Sequence, residues 1–459
     1  MEVRDPIHGS IEVNQGEQKV IDTPLFQRLR QIKQMGFSDL AFPGATHTRY
    51  LHSIGAMYLA ERAFDAIFRH HPFQRPGLHG HFRQLVRLGA LLHDVGHAPL
   101  SHCTEFAMPP VAGLDIPAYR GLPQPLDRRA THEDYTIKII TDSPLTRVLE
   151  RYFPPFSPAH VAALVEQSLP VGDDFFMDGG VNYRPVLAQI ISSELDVDRM
   201  DYLHRDSYYA GVNYGNFDYN WLSGNLTFHV THENAAHLAL DPRAIYAFND
   251  FLMSRYHMFL MVYFHHKSVI YEEMLRKYFQ SPSASYVIPS DIEAYGEVDD
   301  YQLISYLRQE ARQGSHWAMR IVNRDAWRVG LERHGQAEDI DLGPWITALK
   351  EAEIPLIATT STGNLSKYTR VGEKRRRGAA IYVKSRSPDA FVGESRVQTL
   401  EEYTDLFSRY ETQRQISRLY VKREDLDRAR EVLRAVPSTH QLSLFEPLVQ
   451  RSEPPSSPG

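Results

Sequence analysis

The stretch Leu91-Leu92-His93-Asp94-Val95-Gly96-His97 constrains this chain most, because an apolar helical run ends there on a histidine and a carboxylate side by side. Leu85, Leu88, Leu91 and Leu92 recur at helical spacing, so residues 81–97 read as a buried helix. Adjacent helical positions point about 100° apart, so both side chains can reach one cation. A nitrogen and an oxygen donor suit a first-row divalent metal. Alone, such a pair more often marks a partly buried histidine with a hydrogen-bond partner. Here His52 stands upstream and Asp198 far downstream, in Leu195-Asp196-Val197-Asp198-Arg199. Two imidazoles and two carboxylates fill four positions and leave room for water or a phosphate oxygen.

With 459 residues the chain can bury a large core and form more than one domain. Its 42% hydrophobic and 23% charged residues are ordinary for a globular protein. No run of 18 apolar residues exists, and the first five residues carry no signal-peptide pattern, so a cytoplasmic protein without a membrane segment is expected. The single cysteine, Cys103, excludes an internal disulfide and fits a reducing compartment. A net charge of −7 argues against general nucleic-acid coating, which neutralises many phosphates. An anionic substrate would need a local cluster of arginines.

In chain order, residues 4–13 read as a small hairpin or turn. Asp22-Thr23-Pro24 starts a helix with an apolar stripe of Phe26, Leu29, Ile32 and Met35. Its polar residues, Gln27, Arg28, Arg30 and Gln34, are read from pattern alone as a solvated face. A helix over 54–70 follows Arg49 and His52. His102 and Glu105 share a face if helical, which is either an exposed ion pair or a histidine oriented by a carboxylate, as a general acid requires. Residues 108–128 read as a long loop beside the site, and long loops are often lids. Thr131 is an N-cap candidate for a helix opening at His132-Glu133.

Over 185–209, Asp198, Tyr202 and Asp206 line one helix face between Arg199 and Arg205, which points to a polar cavity or a solvated face. Residues 244–279 form an aromatic helix on which Arg255 and Tyr263 can reach one pocket. After about residue 345, strands are expected at 354–360, 379–384 and 417–422, with helices at 401–409 and 423–435. The fold class is therefore mainly α: a helical core over 1–280, a helical extension over 281–345 and a small α/β domain over 346–436. The basic run Lys374-Arg375-Arg376-Arg377 is a solvated hairpin tip or a contact for phosphates or an acidic partner. From 437 on, the Pro- and Ser-rich tail is expected to be disordered.

Asp5-Pro6-Ile7-His8-Gly9, Asp22-Thr23-Pro24-Leu25-Phe26-Gln27-Arg28-Leu29-Arg30, Phe42-Pro43-Gly44-Ala45, the run from His93 to His102 and Asp196-Val197-Asp198-Arg199-Met200-Asp201-Tyr202 carry a more specific signal. They resemble the deoxynucleoside triphosphate triphosphohydrolases of the HD superfamily, a group that includes the vertebrate enzyme joining a sterile-alpha-motif domain to an HD domain, and bacterial dGTPase-like relatives. The likeness covers roughly residues 1 to 280.

The resemblance implies an HD-domain catalytic core that hydrolyses at the α-phosphorus, releasing deoxynucleoside and intact triphosphate. It implies His52, His93, Asp94 and Asp198 as ligands of a divalent transition metal (Fe, Mn, Zn or Ni), with Mg2+ accompanying the substrate triphosphate. His102 would protonate the departing 5′ oxygen, oriented by Glu105, while His97 and His132 hold the phosphate region. Arg49, Arg199 and Arg255 would neutralise the triphosphate. Gln34 and Asp206 match groups that bind the 3′ hydroxyl, Tyr263 matches the side chain that excludes ribonucleotides, and Tyr202 belongs to the same pocket. Asp22, Gln27 and Arg30 match positions that read a guanine nucleotide activator in a homotetramer. The vertebrate enzyme departs from this chain in having Asp at Glu105, Lys at Arg199, Lys at Met1 and a shorter loop before His132.

Gln441-Leu442-Ser443-Leu444-Phe445 in the tail resembles the pentapeptide by which bacterial replication proteins bind the DNA sliding clamp; folding back onto the α/β domain is the alternative. Two other readings compete with a dNTP hydrolase. One is an HD-type phosphohydrolase or phosphodiesterase acting on another nucleotide or a nucleic-acid end; the other is a nucleotide-sensing, clamp-binding module.

Overall fold

The computed structural model describes residues 1–123, 127–282, 284–336, 340–363, 380–384, 397–404 and 414–437. It divides into two compact units, one formed by residues 1–326 and 363–412, the other by 327–362 and 413–459. The fold is mainly helical, as its sequence pattern implies.

The first unit opens with an antiparallel hairpin, Glu2–Asp5 against Gly9–Glu12, where the hairpin is expected. The anticipated helix from Pro24 does not run through to Met35. It is a single turn, Pro24–Gln27, followed by the 3-10 turn Arg28–Gln31, and Ile32 is extended. The break arises because Lys33 bridges Thr48 and Ile32 O accepts from Arg49 N, so tertiary pairing replaces the helical ladder. Phe26, Leu29 and Ile32 are nevertheless fully buried, as their spacing demanded.

Two antiparallel neighbours form the centre: Arg49–Ile67, one turn earlier than expected, and Leu78–Leu92. The second carries Phe82, Leu85, Val86, Leu88, Leu91 and Leu92 without exposure, each worth roughly 1.5–3 kcal/mol on burial. It ends at His93, not His97, and residues 93–96 form a turn. Gly96 is required there, because a Cβ would lie 2.2 Å from His132 O and 2.3 Å from Thr136 N. The turn thus sits directly on the helix His132–Thr141, held by Gly96 N to Thr136 Oγ1 at 3.0 Å.

The stretch expected as one helix over 185–209 is two, Arg184–Ile191 and Val197–Ala210. Asp196 caps the second by accepting from Arg199 N. Likewise the aromatic helix is interrupted: Ile245–Met258 passes into a π-helical turn, Phe259–Tyr263, before His266–Gln280. The loop after Met108 is pinned rather than free, with 3-10 turns Val111–Leu114 and Pro117–Tyr119, a bridge from Pro110 to Arg129, and Tyr119 OH donating to Asp134 at 2.9 Å.

A hairpin of Leu226–Val230 and Ala236–Leu240 extends to Tyr382–Val383, parallel to the second strand, and then to Gln398–Thr399. The strand expected at 379–384 therefore belongs to the helical unit, not to the small domain. In the second unit Arg414–Val421 lies between Arg328–Gln336, to which it is antiparallel, and Leu356–Gly363. Helices Gly343–Glu351 and Leu426–Ala435 supply Leu349, Ala429 and Leu433 to a core with Ile354, Leu419 and Val421. Its first strand, at 328–336, falls in the segment anticipated as helical extension; the rest of that segment does hold helices, among them Asp300–Arg312 and His316–Val322. The helix anticipated at 401–409 is described as Leu400–Tyr403. The basic run 374–377 and the clamp-like peptide 441–445 lie outside the described residues.

Candidate active site

Three helical ends converge. His52 sits in the first turn of Arg49–Ile67, His93 caps Leu78–Leu92, and Asp198 lies in the first turn of Val197–Ala210. His52 Nε2 is 3.0 Å from Asp198 Oδ1 and 3.5 Å from Asp94 Oδ2; His93 Nε2 is 3.4 Å from both Asp198 Oδ1 and Asp94 Oδ1. The other ring nitrogens are engaged elsewhere: His93 Nδ1 with Ala90 O at 2.7 Å, His52 Nδ1 with Asp201 Oδ2 at 2.8 Å. A ring whose Nδ1 faces a carbonyl oxygen must carry its proton there, which leaves the Nε2 lone pair pointing inward. Both Nε2 atoms are buried and make no hydrogen bond of acceptable angle. His52, His93 and Asp94 each offer a ligand atom within 4.8 Å of the others, a set that fits a divalent metal, and Asp198 Oδ1 lies beside both rings. Burial lowers the basicity of His52, but Asp198 and Asp201 outweigh it and raise its pKa to about 10. The same demand for positive charge would be met by a divalent cation held by these residues.

Beside this group, Ser101–Ala107 is a 3-10 turn, in which residues three apart eclipse. His102 Nδ1 lies 3.3 Å from Glu105 Oε1, which also pairs with His132 Nδ1. Leu100 and Ser101 both have positive φ (57° and 58°), an uncommon conformation for such side chains. It is held by Leu100 N donating to Asp300 Oδ1 at 2.6 Å and Ser101 Oγ to Lys33 O at 2.6 Å. His97 stacks on His132 with centroids 3.9 Å apart, and its Nε2 is 3.4 Å from Asp94 Oδ1. Burial first, then Arg49 and His132, hold the His97 pKa well below the usual range. His132 goes the opposite way, burial being outweighed by Glu105.

Each arginine expected at the triphosphate has a carboxylate partner. Arg49 pairs with Asp94 and donates to Ser101 Oγ at 2.9 Å, Arg199 reaches Asp196 at 2.6 Å, and Arg255 reaches Glu194 at 3.4 Å. Asp206 accepts Tyr263 OH at 2.7 Å and lies 2.7 Å from His47 Nε2. The ring of Tyr202 is 6.5 Å from those of Tyr263 and His52. Gln34 N donates to His47 O at 3.0 Å, and its buried Oε1 has no partner.

Residues 49–206 match the HD domain model and 221–335 match the HD associated region. The chain carries an HD domain followed by an HD associated region. The HD match runs from Arg49 to Asp206 and contains His52, His93, Asp94 and Asp198. Over 264 residues the chain is 34% identical to the uncharacterized protein YwfO of Bacillus subtilis, covering 57% of this chain and 51% of that one. It is 32% identical over 233 residues to the human deoxynucleoside triphosphate triphosphohydrolase SAMHD1, covering 47% and 34%. The chain thus spans about half the length of YwfO and about a third of SAMHD1. A hypothetical protein from Aquifex aeolicus superposes with a TM-score of 0.70 at 27% identity, over 94% of this chain and 99% of that one.

Around the HD centre, Arg30 Nε donates to Gln27 Oε1 at 2.8 Å and its guanidinium lies 3.6 Å over the Tyr50 ring. Burial, opposed by Arg30 and reinforced by Asp22, raises the Tyr50 pKa. Sequence reasoning passed over Asp196, Glu194, Asp201 and His47, which hold Arg199, Arg255, His52 and Asp206. Asp201 and Arg205, four apart on one helix, could have been seen as an ion pair. His47 offered no spacing signal.

Proposed function

We propose that this HD-domain protein is a metal-dependent phosphohydrolase that cleaves deoxynucleoside triphosphates to deoxynucleoside and inorganic triphosphate. The supporting observation is the pair of inward Nε2 lone pairs of His52 and His93, facing Asp94 and Asp198, directly beside the His102–Glu105–His132 cluster. A divalent transition metal held by these four residues would supply Lewis acidity and a water made nucleophilic near neutral pH. Mg2+ travels with the triphosphate. Arg49, between Asp94 and Ser101, binds the phosphate chain, joined by Arg199 and Arg255 once substrate oxygens compete with Asp196 and Glu194. His97 and His132 hold the phosphate region. His102, 64% exposed and oriented by Glu105, gives its proton to the departing 5′ oxygen. Asp206 and Gln34 take the 3′ hydroxyl, and Tyr263, beside Tyr202, blocks a 2′ hydroxyl.

Similarity to SAMHD1 supports the substrate class. A guanine nucleotide seated by Asp22, Gln27 and Arg30 in a homotetramer would activate the enzyme. The tail peptide would tether it to the sliding clamp. Among the described residues no helix is long and apolar enough to cross a membrane, and a cytoplasmic site of action is part of the proposal. The test is chromatographic: full-length protein with Mn2+ and dATP, with and without dGTP. Deoxyadenosine and intact triphosphate, appearing only with dGTP, are expected; diphosphate or monophosphate products would refute the substrate assignment.

A further inference from the structure

A buried charge network runs from His52 to the N-terminal hairpin. Asp201, three residues after Asp198, places Oδ2 2.8 Å from His52 Nδ1 and Oδ1 2.7 Å from His8 Nε2. Arg205 donates from Nε to Asp201 Oδ2 at 2.8 Å and from Nη2 to Oδ1 at 2.9 Å, and from Nη1 to Asp5 Oδ2 at 2.7 Å. Asp5 in turn accepts the amides of Ile7 and His8 at 2.9 and 2.8 Å, closing the hairpin turn. Asp201 and Arg205 have no exposed surface.

Their fit depends on Gly55 of the His52 helix, where a Cβ would stand 2.1 Å from Asp201 Oδ1 and 2.2 Å from Arg205 Nη2. Four donors meet the two oxygens of Asp201, so the carboxylate cannot turn. Asp5 and Asp201 share the one guanidinium of Arg205, and the carboxylate charge of Asp201 faces His52 Nδ1, on the side of the ring away from Nε2. Such a charge strengthens the ring as a ligand of a cation.

We propose that Asp201 is a positioning residue of the metal centre: it fixes His52 with Nδ1–H outward and Nε2 toward the metal, and is itself fixed by Arg205, Asp5 and His8. The hairpin Glu2–Glu12, remote in sequence from every ligand, is thereby part of the metal site. This inference rests on the reading of His52, His93, Asp94 and Asp198 as ligands.

The experiment is a titration of Mn2+ into the chelator-treated full chain, with free Mn2+ read by electron paramagnetic resonance. Asp201→Asn keeps the shape but sets an amide NH2 against donors on one side. Its Kd for Mn2+ is expected to rise about 10- to 100-fold. The control is Glu17→Gln, which removes the charge of the buried Glu17–Arg87 pair (2.6 Å), neither member of which is paired with His52, His93, Asp94 or Asp198, and should leave Kd within about twofold. Equal Kd in wild type and Asp201→Asn, or equal weakening in both variants, overturns the inference. No Mn2+ binding by the wild type would sink the metal reading beneath it. Should Asp201→Asn fail to fold, His8→Phe carries the test, since it removes one of the four donors: a several-fold rise in Kd supports the proposal, and no change overturns it.

Discussion

Replacing Glu105 with Gln separates charge from shape at the heart of the proposed acid. Glu105 Oε1 serves both His102 and His132, so the substitution removes the negative end of two interactions at once. Burial alone would raise the Glu105 pKa, but His102 and His132 hold it far below the usual carboxylate range; His132, its partner, is raised above 6.5. The signs fix the window. A depressed carboxylate contributes stability that is complete above its unfolded value, near 4.5, and is lost as pH falls through its folded value. A raised histidine contributes stability complete below 6.5 and lost as pH rises through its folded value. Both contributions are therefore present together from about pH 4.5 to 6.5. Losing a hydrogen bond to a charged group costs roughly 1.5–3 kcal/mol, so Glu105→Gln should lower unfolding free energy by about that much at pH 6 and by less at pH 9. General-acid catalysis contributes about 10²- to 10⁴-fold; because His102 remains in the variant, kcat should fall toward the lower end, on the order of 10², with KM little changed. Urea denaturation at the two pH values and initial rates of deoxyadenosine release measure these effects. A kcat within about threefold of wild type, or a stability loss independent of pH, would refute the dyad.

Three further outcomes follow from the same geometry. Tyr263→Ala, which opens the space beside Asp206, should reduce the preference for dATP over ATP by roughly 10- to 100-fold in kcat/KM, measured with both substrates. Gly96→Ala forces a methyl against the backbone of His132 and Thr136, so stability should drop by at least about 1–3 kcal/mol in chemical denaturation, with activity falling as His97 and His132 part. Arg28 donates to Val95 O at 3.0 Å, His97 O at 2.8 Å and Val298 O at 2.9 Å. Arg28→Lys cannot span all three carbonyls and should cost about 1–3 kcal/mol for each acceptor left unpaired; an unchanged denaturation midpoint would contradict this.

What the sequence disclosed follows from scarcity. Histidine and aspartate together at the end of an apolar run are uncommon, so His93 and Asp94 stand out, and His52 and Asp198 follow once a metal is considered. Apolar spacing likewise placed Phe26, Leu29 and Ile32 in the core. It did not reveal that the backbone leaves the helix at Ile32, because that depends on pairing of Lys33 with Thr48. Nor could local pattern assign Tyr382–Val383 to the sheet of Ala236–Leu240, since the register is set by a partner about 140 residues away. Residues 108–128 read only as a long loop beside the site because their anchors, Tyr119 on Asp134 and Pro110 on Arg129, become partners only in three dimensions. The π-helical turn that delivers Tyr263 to Asp206 has no signature in the residues Phe259–Tyr263 themselves. Residues that hold other residues, such as His47 and Asp201, stay invisible until the side chains they hold are seen.

The most direct test of the central claim is the fate of solvent oxygen. Hydrolysis of dATP in oxygen-18 water, with Mn2+ and dGTP present, should give unlabelled deoxyadenosine and a triphosphate carrying the label, read by mass spectrometry. That result places attack on the α-phosphorus with the 5′ oxygen leaving on the deoxynucleoside, and Asp198→Ala should abolish it. Label in the deoxyadenosine, or in a diphosphate or monophosphate, would contradict the account.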